Sequence, residues 1–68
     1  MPYDRIDQLP DSVRTHLPTE ARQIYKEAFN NAWEEYAGQD DREATAHKVA
    51  WAAVKKKYVK RGDQWVKK

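Results

Sequence analysis

The most constraining feature of this sequence is a stripe of apolar side chains that repeats with helical spacing through its middle. The members of the stripe are Ala21, Ile24, Tyr25, Ala28, Phe29, Ala32, Trp33 and Tyr36. Steps of three and four residues place them on one face of an α-helix for four turns. Pro18 precedes the stripe and Gly38 follows it, which suits a helix start and a left-handed C-terminal cap. The sequence therefore predicts a long amphipathic helix that must bury this face against a second element.

A second helix is predicted after Gly38. Asp40 and Glu43 have the spacing of an N-terminal capping box, with Asp in place of Ser or Thr. The predicted inner face consists of His47, Ala50, Trp51, Val54 and Tyr58. The basic residues that follow continue this helix until Gly62 ends it, because positive side chains at a helix C-terminus complement the helix dipole.

The connection between the two predicted helices is so short that they should lie antiparallel. Trp33 and Trp51 are then predicted to meet between them. A short helix is predicted between Asp11 and Leu17. The expected fold class is all-α, with two long antiparallel helices and a short N-terminal helix in one domain spanning residues 1–68.

The two ends of the chain carry β-prone residues. Tyr3 lies at one end, and Trp65 and Val66 lie at the other. A minimal two-stranded β contact between the termini is therefore an expectation, since it would hold ends that otherwise fray.

Composition limits the classes of function. With 68 residues and no cysteine, the chain has room for one small domain without disulfides, thiolate metal sites or a thiol nucleophile. No stretch approaches the roughly 18 apolar residues of a membrane span, and no secretory signal is evident. The expected location is cytoplasmic.

Two strings of residues resemble the ChaB family. They are IYKEAFNNAW, from Ile24 to Trp33, and EATAHKVAWAAVK, from Glu43 to Lys55. The resemblance extends over nearly the whole chain, through Met1-Pro2-Tyr3, Leu9-Pro10, Leu17-Pro18 and Trp65. It implies a small helical domain with a minor β element, and a regulator of a sodium/calcium–proton antiporter. The link between the long helices is shorter than the charged insertion of enterobacterial members, so a transporter contact made by that insertion would be absent here.

Catalysis is not indicated by the residues. Ser12 is the only serine, there are two histidines, and no glycine-rich phosphate loop is present. Glu43 and His47 have a spacing compatible with metal ligands, but no further histidine or acid at similar spacing completes a shell. We therefore interpret Glu43 as a cap and His47 as a helix-face residue near the aromatic rings. No catalytic, cofactor-binding or metal-ligating residue is predicted.

Charge is distributed unevenly along the chain. Residues 55–68 carry a net charge of +6, whereas residues 34–43 carry −4. On a continuous helix, Lys56 and Lys60 would share one face, as would Lys57 and Arg61. The candidate contact residues of this basic end are Lys56, Lys57, Lys60, Arg61, Trp65, Lys67 and Lys68.

Two functions are open from the sequence. The first is a non-catalytic regulator that acts by protein–protein contact, with a membrane cation antiporter as the partner that the resemblance implies. The alternative is a nucleic-acid-binding module, in which the basic end neutralises phosphates and its aromatic residues stack on bases. The pattern does not specify an oligomeric state, because a packed apolar stripe and an exposed one look alike in sequence.

Overall fold

The computed structural model describes residues 3–68, so the Met1-Pro2 part of the family resemblance lies outside the described residues. Three helices are followed by a β-hairpin, and a 3₁₀ turn at Ile6–Gln8 precedes the first helix. The elements are α1 (Asp11–Arg14), α2 (Thr19–Glu35), α3 (Arg42–Lys57), β1 (Tyr58–Arg61) and β2 (Gln64–Lys67).

The core lies between α2 and α3 and is closed by the segment that precedes α2. Its buried side chains are Leu9, Val13, Leu17, Ala21, Tyr25, Phe29, Ala32, Ala46, Ala50, Val54 and Tyr58. The apolar stripe of α2 is buried or partly buried throughout, so its period correctly predicted the inner face. The small side chains of Ala46 and Ala50 are fully buried and allow α3 to approach α2 closely.

The link between the long helices differs from the prediction. Helix α3 begins at Arg42, and its N-cap residue Asp41 makes no side-chain capping hydrogen bond. The predicted capping box from Asp40 is therefore wrong. Gly62 is the only glycine with a positive φ in residues 3–68, so Gly38 does not form a left-handed cap.

Helix α3 ends at Lys57, well before the predicted stop at Gly62. Tyr58 caps the helix with φ −130° and ψ 154°, an extended conformation, and is also the first residue of β1. Strands β1 and β2 pair antiparallel through the two-residue turn Gly62-Asp63, and Gly62 adopts φ 61° there. A glycine with positive φ at the first turn position matches the twist of a tight hairpin. The fold is therefore mostly helical α+β, and the all-α prediction is wrong.

The predicted β contact between the termini is also wrong. Strand β2 pairs with β1, and Tyr3 instead contacts Asn30 of α2. The Tyr3 N–H donates to Asn30 Oδ1 at 2.8 Å, and Asn30 Nδ2 donates to the Tyr3 carbonyl at 2.8 Å. The Tyr3 ring packs on Phe29 with centroids 4.8 Å apart. An asparagine side chain thus replaces the backbone partner that a strand would supply.

Ring contacts define the register of the antiparallel helices. Tyr25 packs on Trp51 at 5.2 Å, and Phe29 packs on His47 at 4.7 Å between centroids. Trp33 lies eight residues, about 12 Å, further along α2 than Tyr25. It stacks on Phe29 at 5.9 Å, so the predicted meeting of Trp33 with Trp51 does not occur.

The N-terminal helix is shorter than predicted, but the two apolar residues expected to face the core are buried. Helix α1 covers only Asp11–Arg14, while Val13 and Leu17 both face the core. The Leu17 carbonyl accepts a hydrogen bond from Arg22 Nε at 2.8 Å. This contact holds the segment against the first turns of α2.

Candidate functional site

The β-hairpin presents two different faces, because strand side chains alternate and opposite residues share a face. Tyr58 pairs with Lys67, and Lys60 pairs with Trp65. Tyr58 is buried, and the Trp65 ring packs on Trp51 of α3 with centroids 5.5 Å apart. This face therefore lies against the helices.

The other face of the hairpin points away from them. Val59 pairs with Val66, and Arg61 pairs with Gln64. The two valines are partly exposed, whereas Arg61 and Gln64 are exposed. The sheet consequently divides the basic residues of the chain's end between its two sides.

A groove of about 380 Å³ lies where α1, α3 and the hairpin converge. We call it the tryptophan groove. Its lining residues are Ser12, His16, Trp51, Lys55, Lys60 and Trp65. Trp51 and Lys55 are one turn apart on α3, and Lys60 is directly opposite Trp65 in the hairpin. Trp65 also lines three neighbouring grooves, so it is the centre of the concave surface of this end.

The polar groups of the tryptophan groove differ in how they are held. His16 Nδ1 lies 2.8 Å from the Ser12 carbonyl oxygen and 3.3 Å from Thr15 Oγ1, so its imidazole is tied to the α1 segment. Lys55 and Lys60 are exposed, and within residues 3–68 neither of them forms an ion pair. Two free ammonium groups thus flank a partly exposed aromatic surface.

The structure separates the seven residues predicted from the sequence. Lys60 and Trp65 line the tryptophan groove, and Lys67 lines one of its neighbours. Lys56 and Lys57 are exposed at the end of α3, and Arg61 lies on the outer hairpin face. The backbone N–H of Lys68 donates to the Lys57 carbonyl at 3.0 Å.

The predicted helical strip of basic residues is therefore wrong. A shared helix face for Lys56 and Lys60, or for Lys57 and Arg61, requires a helix that continues past Lys57. Ser12, His16 and Trp51 are neighbours of the basic end that the sequence did not predict, because only the tertiary fold brings them there.

A second polar arrangement lies between α2 and α3. The Tyr25 phenol is hydrogen-bonded to His47 Nδ1, and His47 Nε2 lies 4.0 Å from Glu43 Oε1. Burial raises the pKa of the Tyr25 phenol and lowers the pKa of the His47 imidazole, while the Glu43 carboxylate opposes the second shift. No cluster of three or more potential metal ligands occurs in the described part of the chain. The interpretation of His47 as a helix-face residue among aromatic rings is confirmed.

The helices of residues 3–68 include none that is both long and apolar enough to cross a membrane. The fold and the site together define a small α+β domain in which two antiparallel helices end in a basic, tryptophan-centred hairpin. The ChaB family model matches residues 9–68, and the chain belongs to the ChaB family.

Named relatives match over the full length of the chain. Proteins called "Putative cation transport regulator ChaB" from Escherichia coli K12 and Shigella flexneri are each 53% identical over 75 residues, covering 100% of this chain and 99% of the relative. Because this chain has 68 residues, at least seven positions of that comparison have no counterpart in it. The structure titled "NMR solution structure of the putative cation transport regulator ChaB" superposes with a TM-score of 0.89 at 53% identity, covering 98% of this chain and 99% of that one.

Proposed function

We propose that this chain is a non-catalytic regulator of cation transport that acts in the cytoplasm by binding another protein, and that the partner is a membrane cation antiporter exchanging sodium or calcium for protons. The names of its relatives support the regulatory role. The contact surface in this proposal is the hairpin end of the molecule.

One observation carries the protein-contact part of the proposal. Trp51 and Trp65 remain partly exposed beside the free ammonium groups of Lys55 and Lys60. Aromatic residues that are incompletely covered in the isolated chain, with charged groups at their edge, are typical of the centre of a protein–protein interface.

The groove offers little support for catalysis. Ser12 and His16 both line it, but His16 Nδ1 is engaged by the main-chain carbonyl of Ser12. A nucleophilic serine would need its hydroxyl hydrogen-bonded to a base. The proposal therefore assigns these residues to the wall of a binding surface.

Transport measurements test the regulatory role. Everted membrane vesicles from host cells that lack this chain are assayed for Na⁺/H⁺ and Ca²⁺/H⁺ exchange, with purified chain added in increasing amounts. We expect a saturable change in the exchange rate, and the Trp65→Ala variant should require more protein for the same change. Exchange rates that stay the same at all concentrations would contradict the proposal. Cell fractionation tests the location separately.

Nucleic-acid binding is the second candidate, favoured by the net charge of +6 in residues 55–68. Its test is the affinity for a 20-nucleotide single strand and a 20-base-pair duplex as a function of salt. Binding should weaken steeply as salt rises, because each phosphate that a basic side chain neutralises releases counterions. An absence of measurable affinity at low salt would exclude this candidate.

A further inference from the structure

We propose that the tryptophan groove binds an extended acidic segment of the partner protein, with one aromatic or large aliphatic side chain seated on Trp65 and carboxylates paired with Lys55 and Lys60. This inference rests on the proposed function, because it names the chemistry of the protein partner. It concerns one groove and excludes the remaining basic residues of the chain's end from the contact.

The floor of the groove supplies the apolar half of the contact. The Trp51 and Trp65 rings pack at 5.5 Å, and both residues are only partly buried. Trp51 is held from behind by the fully buried Tyr25, with ring centroids 5.2 Å apart. The aromatic floor is therefore supported by the core, and a rigid, supported ring loses little conformational freedom when it is covered.

The rim of the groove supplies the charged half. Lys55 and Lys60 come from α3 and β1, so their ammonium groups stand on different elements around the same space. Neither forms an ion pair within residues 3–68. They also lie within a segment of net charge +6, whose mutual repulsion is relieved when carboxylates approach. Charge complementarity of this kind selects an acidic segment and speeds its association.

A second copy of this chain is the other acidic candidate. Residues 34–43 carry a net charge of −4 and run from the end of α2 into the first turn of α3, at the opposite end of α3 from the hairpin. Seating that stretch in the groove of a neighbouring copy would join the molecules head to tail. Such a contact closes into a ring or continues as an open chain of molecules, depending on the rotation between neighbouring copies. The separate acidic partner is favoured, because Tyr36, the one aromatic residue of that stretch, is already packed against the core and is not free to seat on Trp65.

The test uses a synthetic peptide as the probe. The peptide has blocked termini and contains one phenylalanine with two glutamates on each side. Its binding is followed by the tryptophan fluorescence and the backbone amide NMR shifts of the protein. We expect saturable one-to-one binding, with the largest shifts at Trp65, Lys55 and Lys60. A peptide with glutamine in place of glutamate, and one with alanine in place of phenylalanine, should each bind at least about fivefold more weakly.

Three lysine variants separate the groove from general charge attraction. Lys55→Gln and Lys60→Gln should each weaken peptide binding by about three- to fivefold, which is the expected loss of one charge pair at a surface. Lys56→Gln is the matched control, because it removes the same charge one residue along α3 from a side chain outside the groove. It should change the affinity by less than about twofold. Trp65→Ala should abolish measurable peptide binding. Amide spectra of the lysine variants are recorded as a control that the fold is retained.

Several outcomes would overturn the inference. Equal losses of peptide affinity in the three lysine variants would indicate diffuse charge attraction. The same conclusion would follow if the peptide with alanine in place of phenylalanine bound as tightly as the original. A sedimentation coefficient that increases with protein concentration in the absence of peptide would identify a second copy of the chain as the occupant. A single-stranded DNA probe is the last comparison. If it displaces the peptide, and if Lys56→Gln weakens its binding as much as Lys55→Gln and Lys60→Gln do, the occupant of this surface is nucleic acid.

The result is separable from that of the transport assay. If vesicle exchange responds to the chain but the peptide does not bind, the groove inference fails and the proposed function stands. If the peptide binds as expected but exchange does not respond, the groove stands as an acidic-segment site and the transport role fails.

Discussion

Tyr25 and His47 are joined by a hydrogen bond across the middle of the α2–α3 interface, between the phenol oxygen and Nδ1. Tyr25 is fully buried, and its ring also packs on Trp51. A buried phenol needs a hydrogen-bond partner because an unpaired polar group in a core is costly. This pair therefore helps to set the register of the two long helices.

Removing the Tyr25 hydroxyl should destabilise the domain. Tyr25→Phe leaves His47 Nδ1 without its partner, so we expect a loss of about 1–2 kcal/mol in the free energy of unfolding. For a domain of this size the loss corresponds to a melting temperature lower by about 7–14 °C. Thermal denaturation followed by circular dichroism measures it. Tyr36→Phe, at the partly buried end of α2, is the matched control and should melt close to the parent. Equal melting temperatures of the two variants would show that the Tyr25–His47 hydrogen bond does not contribute to stability.

Stability should fall as the pH decreases from 7.5 to 5.5. Burial lowers the folded-state pKa of His47 below its ordinary value, with Glu43 opposing the shift. The unfolded chain therefore binds more protons on passing below about pH 6.5, so acid favours unfolding. Urea unfolding at several pH values measures the effect. His47→Gln should flatten the dependence, whereas His16→Gln, at an exposed position, should preserve it; a dependence unchanged in His47→Gln would contradict this assignment.

A side chain at Gly62 should weaken the hairpin turn. Its φ of 61° lies in the left-handed region, so Gly62→Ala should cost about 1 kcal/mol although no atom lies within 4 Å of the added Cβ. Gly38→Ala is the control, because Gly38 has equal space and no positive φ. Unfolding free energies from denaturant titration compare the two. Destabilisation by Gly38→Ala that matches that of Gly62→Ala would contradict the turn geometry.

The Asn30 side chain should hold the N-terminal segment. Asn30→Ala removes both hydrogen bonds to Tyr3, so we expect faster amide exchange at Tyr3 and a loss of about 1–2 kcal/mol in stability. Hydrogen exchange followed by NMR measures the first effect and denaturant unfolding the second. Asn31→Ala changes the adjacent, exposed asparagine of α2 and should leave Tyr3 protected. Equal exchange at Tyr3 in the two variants would rule out this anchoring.

The long helices were predictable because their apolar period extends through many turns. The hairpin was not predicted, since the lysines after Val54 favour a helix C-terminus as readily as an exposed strand. A local signal was nevertheless present: Gly62-Asp63 is a tight-turn dipeptide between two short runs that contain β-branched and aromatic residues. Val59 and Val66, one on each side of that turn, favour strands over a helix that continues to Gly62.

The candidate site was predictable only in part. Lys60 and Trp65 were named from charge and aromatic content, and the structure places both in the tryptophan groove. Ser12 and His16 reach the same groove from more than thirty residues away in sequence, and no periodicity reports such a contact. The register of the helices was equally hidden, because the apolar stripes fit together at several offsets and Tyr25, not Trp33, came to lie opposite Trp51.

The direct passage from α3 into β1 restricts where this chain can change in length. No residue separates Lys57 from Tyr58, so the end of the helix determines which side chains of β1 face inward. One inserted residue at this junction would exchange the two faces of the strand, turning Tyr58 to solvent and Val59 toward the core. Residues 37–41 between α2 and α3 are all exposed, so a change in their number does not reverse which side chains face the core. Insertions and deletions that preserve the hairpin therefore belong in the link between the helices, and the helix–strand junction must keep its residue count.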